Sequence, residues 1–190
     1  MTDQIKKKTV YDDLYNLPEN MIGEIIDGEL VASPRPSIEH IHAGATLGNE
    51  LGHPYSLGRG GPGGWVIYPE PEIAFGSDIL VPDLAGWRKE RFLRPKGQNW
   101  ITVIPDWICE IVSPSSVRID RIKKLGIYAQ HKVSYFWLID PLAKTVDVMG
   151  LSDGKWLLLA VYGENDKVRA EPFTEIEIDL AGLWFKEENQ

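Results

Sequence analysis

The sequence lacks several features that would mark particular classes of protein. It contains one cysteine, Cys109, so no disulfide can form within the chain. It also lacks an apolar run of the roughly 20 residues that a transmembrane helix needs. The basic residues near the N-terminus are not followed by the apolar segment of a signal peptide. These absences together predict a cytoplasmic protein with no membrane partner.

Positive charge is scarce as well. The chain has 20 Lys and Arg against 28 Asp and Glu, a formal net charge of −8. This balance argues against tight non-specific binding to nucleic acid, which depends on basic surfaces. Two local clusters could still bind an anion, and they consist of Arg88, Lys89, Arg91, Arg94 and Lys96, and of Arg118, Arg121, Lys123 and Lys124. The clusters either border one site or are solvated faces of separate elements.

The pattern of apolar and turn residues predicts one mixed domain. A chain of 190 residues with 43% hydrophobic residues can bury a sizeable core. The predicted elements are a short helix at 10–17, a hairpin at 23–31, a helix at 38–52, strands at 65–75, 79–87, 106–113 and 135–140, a helix from 116 or 120 to 131, a meander at 145–162 and a strand near 176–180. We predict a single domain over residues 1–190, of α/β or mixed α+β class, around a single sheet flanked by helices.

Two of the predicted strands each carry one acidic residue, Asp83 in the first and Glu110 in the second. A carboxylate inside a buried strand is costly unless it has a partner. If the two strands are neighbours, both carboxylates can approach one cation. Oxygen donors of this kind favour Mg²⁺ or Mn²⁺. The alternative is structural: Asp83 caps a turn or bonds to the backbone, and Glu110 pairs with an arginine.

A lysine follows the second acidic strand on the next predicted helix. Asp120, Lys124 and Tyr128 are spaced by one turn each and share a face. Because this helix packs back onto the sheet, the Lys124 amine could orient a water and stabilise charge on a phosphate. Asp120 has a competing interpretation as a helix N-cap, and Tyr128 as a core residue.

Two other patterns are candidate sites. His40 and His42 form an H-x-H pair, but in a helix these positions point in different directions. The glycine-rich loop at 58–64 lacks the Gly-Lys-Ser/Thr ending of a phosphate-binding loop and precedes a strand. We interpret that loop as a flexible turn.

Five segments in order carry a family resemblance. They are residues 24–30, residues 81–84, residues 110–116, the trio Asp120, Lys124 and Tyr128, and residues 135–141. Together they resemble the Uma2 family (DUF820) of putative restriction endonucleases, which are similar to the PD-(D/E)XK nuclease superfamily. The resemblance spans residues 23–184. It implies a restriction-endonuclease-like core, a central mixed sheet flanked by helices, with an added antiparallel meander.

The resemblance also implies roles for individual residues. It implies a metal bound by Asp83, Glu110 and the main-chain carbonyl of Ile111. The superfamily lysine usually lies two residues after the second acid, where this chain has Val112, so Lys124 would be a migrated replacement. Glu24 matches a recurrent family acid and would complete the site, unless it is only a hairpin residue. His42 matches a position often occupied by histidine and is expected to line the cleft.

These observations lead to one main hypothesis about function. The chain is expected to be a Mg²⁺- or Mn²⁺-dependent endonuclease that cleaves DNA, with Asp83, Glu110, Lys124 and Glu24 as catalytic residues. Cutting both strands of a duplex would need two sites, which predicts a homodimer. The alternatives are a binding or regulatory module that retains the scaffold without cleavage, and a hydrolase of RNA or another phosphate ester.

Overall fold

The strands of the protein form one large mixed sheet and two smaller antiparallel sheets. The computed structural model describes residues 11–113 and 119–185. The strands are β1 (Met21–Ile26), β2 (Glu29–Pro34), β3 (Trp65–Pro69), β4 (Ile73–Phe75), β5 (Asp78–Leu80), β6 (Leu84–Arg88), β7 (Trp107–Ile111), β8 (Tyr135–Asp140), β9 (Thr145–Ser152), β10 (Lys155–Gly163), β11 (Lys167–Val168) and β12 (Ile178–Asp179). They are ordered β10-β9-β8-β7-β6-β3, β2-β1-β5-β4 and β11-β12.

Helical segments are few. The α-helices are α1 (Ile38–Leu51) and α2 (Leu125–Gln130), the 3₁₀ segments are Tyr11–Asn16 and Leu180–Leu183, and the π-helical turns are Gly52–Ser56 and Asp120–Lys124. None of the helices within the described ranges has the length and apolarity to cross a bilayer. The predicted mixed α+β class with a central mixed sheet is confirmed. The predicted helix start at residue 116 lies outside the described residues.

Strand β7 lies at the centre of the large sheet. Every residue from Trp107 to Ile111 is buried. The strand pairs antiparallel with β6 and parallel with β8. Cys109 packs in the core cluster that contains α1, whereas Ile108 packs in the cluster that contains Tyr128 of α2. The prediction of a strand covered on both faces is therefore confirmed.

Two tight turns follow the sequence pattern. Between β1 and β2, Asp27 and Gly28 have φ of 55° and 73°, the left-handed values that a type I′ hairpin turn requires. Asp153 and Gly154, with φ of 49° and 74°, connect β9 to β10 in the same way. The hairpin and the meander are confirmed at these positions.

The prediction of a single sheet is wrong. Residues 65–75 divide into β3 and β4, and residues 79–87 divide into β5 and β6, and in each case the two halves belong to different sheets. Proline explains the breaks, because Pro71 and Pro82 have no N–H to donate to a ladder. Asp83 consequently lies just before β6, at the point where the chain passes from the small sheet to the large one.

Helix α1 forms as predicted but buries a different face. Ser37 caps it, since its hydroxyl accepts from the N–H of His40. The buried residues recur every four positions and are Ala43, Leu47 and Leu51. Of the stripe that was predicted (Ile38, Ile41, Ala45 and Leu51), the two isoleucines are exposed.

The strand predicted near residues 176–180 is much shorter than expected. Only Ile178 and Asp179 pair, with β11. The Asp179 carboxylate then accepts from the N–H of Ala181 and starts a 3₁₀ turn, which ends the strand. The predicted alternation survives, because Ile178 and Leu180 are buried and Asp179 is exposed.

Candidate active site

A buried charge cluster lies between β1, β7 and the π turn before α2. In the described part of the chain, the buried charged side chains are Glu24, Glu110 and Lys124, which are 7%, 2% and 5% exposed. The Lys124 Nζ is 3.0 Å from Glu24 Oε1 and 3.3 Å from Glu110 Oε1. A cation between two carboxylates offsets part of the cost of removing all three from water. We call these three residues the buried charge cluster.

Neutral donors fix both carboxylates of the cluster. The hydroxyl of Tyr128, which is fully buried, donates to Glu110 Oε1 at 2.5 Å. The N–H of Val81 donates to Glu24 Oε1 at 2.7 Å. Tyr128 is therefore a core residue that also contacts the cluster. Glu24 is more than a hairpin residue, because it connects β1 to Lys124.

Asp83 lies beside the cluster, at the same end of the sheet as Glu110. Because Leu84 pairs with Cys109, the position before Leu84 faces Glu110 across the ladder. The expected neighbour relation between the two acidic segments is confirmed. Asp83 Oδ2 accepts from the N–H of Ile111 at 2.6 Å, and Oδ1 lies 2.6 Å from His40 Nε2. These two bonds fix the orientation of the carboxylate.

His40 is a site residue for which the sequence analysis predicted no role. Its side chain is mostly buried and its Nδ1 is a buried atom without a hydrogen-bond partner. His42 instead bonds the carbonyl of Gly182 at 3.0 Å and packs against Phe185. The prediction that His42 lines the cleft is wrong, because positions two apart on a helix diverge. The H-x-H pair was the sequence feature that could have indicated His40, but it did not show which of the two histidines faces the sheet.

An open cleft brings these groups together. Its walls come from β1, β2, α1, the β5–β6 connection, the end of β7 and the segment before α2. The lining residues are Ile22, Glu24, Ser33, Pro34, Pro36, His40, Glu70, Val81, Asp83, Glu110, Ile111, Ser113, Ile119 and Lys124. The lining includes one lysine and four carboxylates, those of Glu24, Glu70, Asp83 and Glu110, so the formal charge is negative on balance. The cleft therefore favours a cation.

The donors in the cleft fit a hydrated hard cation. Residues 11–113 and 119–185 contain no group of three or more His, Cys, Asp or Glu side chains arranged to hold a metal ion. The available donors are the carboxylates of Asp83 and Glu110 and the main chain of Ile111, all of which line the cleft. Mg²⁺ is usually held by one or two carboxylates and keeps several waters. This donor set therefore suits Mg²⁺ or Mn²⁺ better than a metal held by protein ligands alone.

Cys109 adjoins the cluster but plays no chemical part in it. Complete burial raises the pKa of the Cys109 thiol, and the nearby charges of Asp83 and Glu110 raise that pKa further. The thiol therefore stays neutral at ordinary pH and is a poor nucleophile. This agrees with its interpretation as a core residue.

The first basic cluster lies away from the cleft. Arg88 ends β6, with its guanidinium 4.2 Å from the centre of the Trp65 ring, and Arg91 pairs with Asp106 just before β7. Asp83 and Glu110 lie at the opposite ends of these strands, roughly 17 Å away for five residues. The glycine-rich loop lies on the far side too, because the Gly64 carbonyl accepts from the N–H of Lys89.

The second basic cluster borders the cleft through Lys124. Arg121 approaches Asp147 at 3.9 Å and Lys123 approaches Asp27 at 3.4 Å, while Arg118 lies outside the described residues. The interpretation in which both basic clusters border one site is therefore wrong. Asp120 starts the π turn, and its side chain is not described, so its role as an N-cap stays a prediction.

Both a family model and a solved structure match this chain. The family Uma2, described as "Putative restriction endonuclease", matches residues 11–181. The crystal structure of a protein described as a putative nuclease belonging to DUF820, from Anabaena variabilis ATCC 29413, superposes with a TM-score of 0.73. The identity is 24%, over 92% of this chain and 97% of that chain, a likeness that shows the fold. No curated protein matches the sequence significantly.

Proposed function

The chain belongs to the Uma2 family, and from this membership we propose that it is a metal-dependent endonuclease that hydrolyses DNA phosphodiester bonds. One observation carries the proposal. A buried lysine lies within 3.3 Å of two buried carboxylates, next to a third carboxylate, at the base of an open cleft. Two carboxylates and a lysine at one point are what metal-assisted phosphodiester hydrolysis needs.

Asp83, Glu110 and the carbonyl of Ile111 would hold Mg²⁺ or Mn²⁺. When bound, such an ion lowers the pKa of a water and stabilises negative charge on the scissile phosphate. His40 acts as a positioning residue in this proposal, because its bond to Oδ1 fixes the Asp83 carboxylate against the N–H of Ile111. The bonds from Tyr128 and Val81 hold Glu110 and Glu24 in the same manner.

Lys124 supplies a positive charge from the protein itself, in addition to the charge of the proposed metal ion. Val112, which occupies the usual position of the superfamily lysine, is buried, and its N–H bonds the carbonyl of Ile139. The π turn before α2 delivers the Lys124 amine to Glu110 on the same face of β7 to which Val112 contributes its side chain. We assign Lys124 to orienting the attacking water and stabilising the phosphate. Glu24 acts as an auxiliary group that holds the amine from β1.

The charge of the cleft gives a reason for metal dependence. Four carboxylates against one lysine repel a phosphate in the absence of a bound cation. A divalent ion held by Asp83 and Glu110 would offset that repulsion at the point where the phosphate must lie. We therefore expect both binding of the phosphate and its hydrolysis to require the ion.

A second candidate is a nuclease scaffold that binds without cleaving. Two observations favour it: the Lys124 amine is already engaged by two carboxylates, and the first basic cluster lies away from the cleft. Fold and family do not by themselves guarantee catalysis. Hydrolysis of RNA or of another phosphate ester would use the same groups as the main proposal.

Nicking of supercoiled plasmid DNA tests the proposal. We expect the wild-type protein to nick DNA with Mg²⁺ or Mn²⁺. Nicking should stop when EDTA removes the ion. Asp83→Ala and Glu110→Ala should each abolish nicking, because each removes a proposed ligand. Nicking that survives in either variant would show that the catalytic assignment is wrong. If neither DNA nor RNA is cut with any divalent metal, the nuclease proposal is wrong and the scaffold interpretation is favoured.

A further inference from the structure

Strand β10 leaves a long apolar edge on the large sheet. It covers Lys155–Gly163 at one end of the strand order, and no described strand pairs with its outer edge. Its exposed apolar side chains are Leu157, Leu158, Leu159 and Val161, which are 51%, 60%, 49% and 55% exposed. Monomeric proteins protect such edges with charged residues, proline, short strands or β-bulges. Of these devices β10 has only the bulge described next, because residues 156–162 contain no charge and no proline, and its four apolar side chains stay exposed.

A β-bulge determines which face each side chain takes. Leu158 pairs with Met149 and Ala160 with Val148, so Leu159 is the extra residue. Met149 packs in the core cluster on the α2 side, whereas Val148 packs in the cluster on the α1 side. Side chains on β10 therefore change face at the bulge.

The change of face groups four side chains of β10 in two pairs. Leu158 and Val161, which pairs with Asp147, lie on the α2 side. Leu157, which pairs with Gly150, lies on the α1 side together with Tyr162, which packs in that core cluster. Each face of the edge thus carries one residue before the bulge and one after it.

We propose that β10 pairs antiparallel with β10 of a second copy of the chain, about a two-fold axis between Leu159 and Ala160. In this register Leu158 lies opposite the partner's Val161, and Leu157 lies opposite the partner's Tyr162. Opposed residues of an antiparallel pair must share a face, and both of these pairs do. An axis through Leu159 would instead oppose Leu158 to the partner's Ala160, which lies on the other face.

Charge supports the same register. Lys155 begins β10 and Glu164 directly follows it, and both are exposed. Pairing about the proposed axis brings Lys155 opposite the partner's Glu164, at both ends of the interface. The uncharged residues 156–162 lie between these ends, so no like charges meet. The partner that fits this edge is therefore a second copy of the chain, because the β10 edge is complementary to itself about the two-fold axis.

The pairing would join two six-stranded sheets into one sheet of twelve strands. Strand β7 of one protomer and β7 of its partner would then be seven strand spacings apart, roughly 33 Å. Each buried charge cluster would act on a separate phosphate. The proposed interface does not depend on whether the protein cleaves DNA.

Sedimentation velocity of the full-length protein tests the interface. The wild type is expected to be a dimer at micromolar concentration. Leu158→Lys and Val161→Lys each place a cation in an apolar pair and should raise the dimer Kd at least roughly 100-fold. Leu142→Lys is the matched control, because Leu142 is 70% exposed in the turn after β8 and away from the edge, and it should stay dimeric. Circular dichroism establishes that each variant is folded.

Reversal of the charges at the two ends of the interface tests the register. It leaves the uncharged residues 156–162 unchanged. Lys155→Glu and Glu164→Lys should each weaken the dimer several-fold, and the double variant Lys155→Glu/Glu164→Lys should restore it. The register is overturned if the double variant is no tighter than the single ones. The interface is overturned by a monomeric wild type, by open-ended assemblies, by a dimer that survives both Leu158→Lys and Val161→Lys, or by equal dissociation of Leu142→Lys.

Discussion

Replacing Lys124 with methionine is expected to lower the free energy of unfolding by about 3–5 kcal/mol, the usual cost of removing one partner of a buried ion pair. Methionine fills most of the space of the lysine stem but removes the charge. Glu24 and Glu110 would then remain buried, close together and without the cation that lies 3.0 and 3.3 Å from them. Chemical denaturation at neutral pH in the presence of EDTA measures the effect.

The neighbouring lysine provides a matched control for this prediction. Lys123 is exposed and approaches Asp27 at 3.4 Å, so Lys123→Met should change the free energy of unfolding by less than about 1 kcal/mol. The double variant Glu24→Gln/Lys124→Met should recover part of the loss, because it leaves one buried carboxylate charge without the Lys124 cation instead of two. Equal effects of Lys123→Met and Lys124→Met would contradict the geometry of the cluster.

The second large effect concerns catalysis. Glu110→Gln is expected to slow DNA nicking at least about 1000-fold, because roughly 4 kcal/mol of transition-state stabilisation is lost with the charge that holds the ion. Glutamine keeps the volume of the side chain, and its carbonyl oxygen can still accept from the Tyr128 hydroxyl. The variant therefore removes a negative charge with little change in packing. Single-turnover nicking rates with Mn²⁺ measure the change.

A similar carboxylate elsewhere in the chain serves as the control. Glu175 also accepts from a tyrosine hydroxyl, that of Tyr55, at 3.0 Å, but it does not line the cleft. Glu175→Gln should nick DNA at the wild-type rate. A rate for Glu110→Gln within tenfold of that for Glu175→Gln would show that Glu110 has no role as a ligand.

The sequence predicted the acidic part of the site because local patterns determine it. A continuous apolar run around Glu110 indicated a strand buried on both faces, and a buried acid requires a partner. The helix that follows such a strand returns across the sheet, which brought Lys124 into consideration. The structure brings Asp83, Glu110 and Lys124 to one cleft. Their roles in metal binding and catalysis remain proposals.

Contacts between distant segments could not be predicted in the same way. His40 and Asp83 are 43 residues apart, and no periodicity relates a position in α1 to the connection before β6. The two interpretations of the basic clusters could not be distinguished from the sequence for a similar reason. A strand separates its two ends by many ångströms, so Arg88 at the end of β6 lies far from Asp83 just before the strand begins.

Strand breaks and bulges also could not be predicted from the pattern of apolar residues. Apolar residues on both sides of Pro82 indicated one strand, but the missing N–H at proline divides that segment between two sheets. In β10 the alternation of side chains changes phase at Leu159, where one extra residue is inserted against β9. A period-two pattern cannot reveal such an insertion, because it depends on the pairing partner.

Calorimetric titration of Mn²⁺ tests most directly whether Asp83 and Glu110 hold a hard cation. Wild type and Glu175→Gln are expected to bind one Mn²⁺ per protomer with equal affinity. Glu110→Gln should bind it at least tenfold more weakly, since it lacks one of two charged ligands. Equal binding by Glu110→Gln and wild type, or no binding by the wild type, would contradict the proposed metal site.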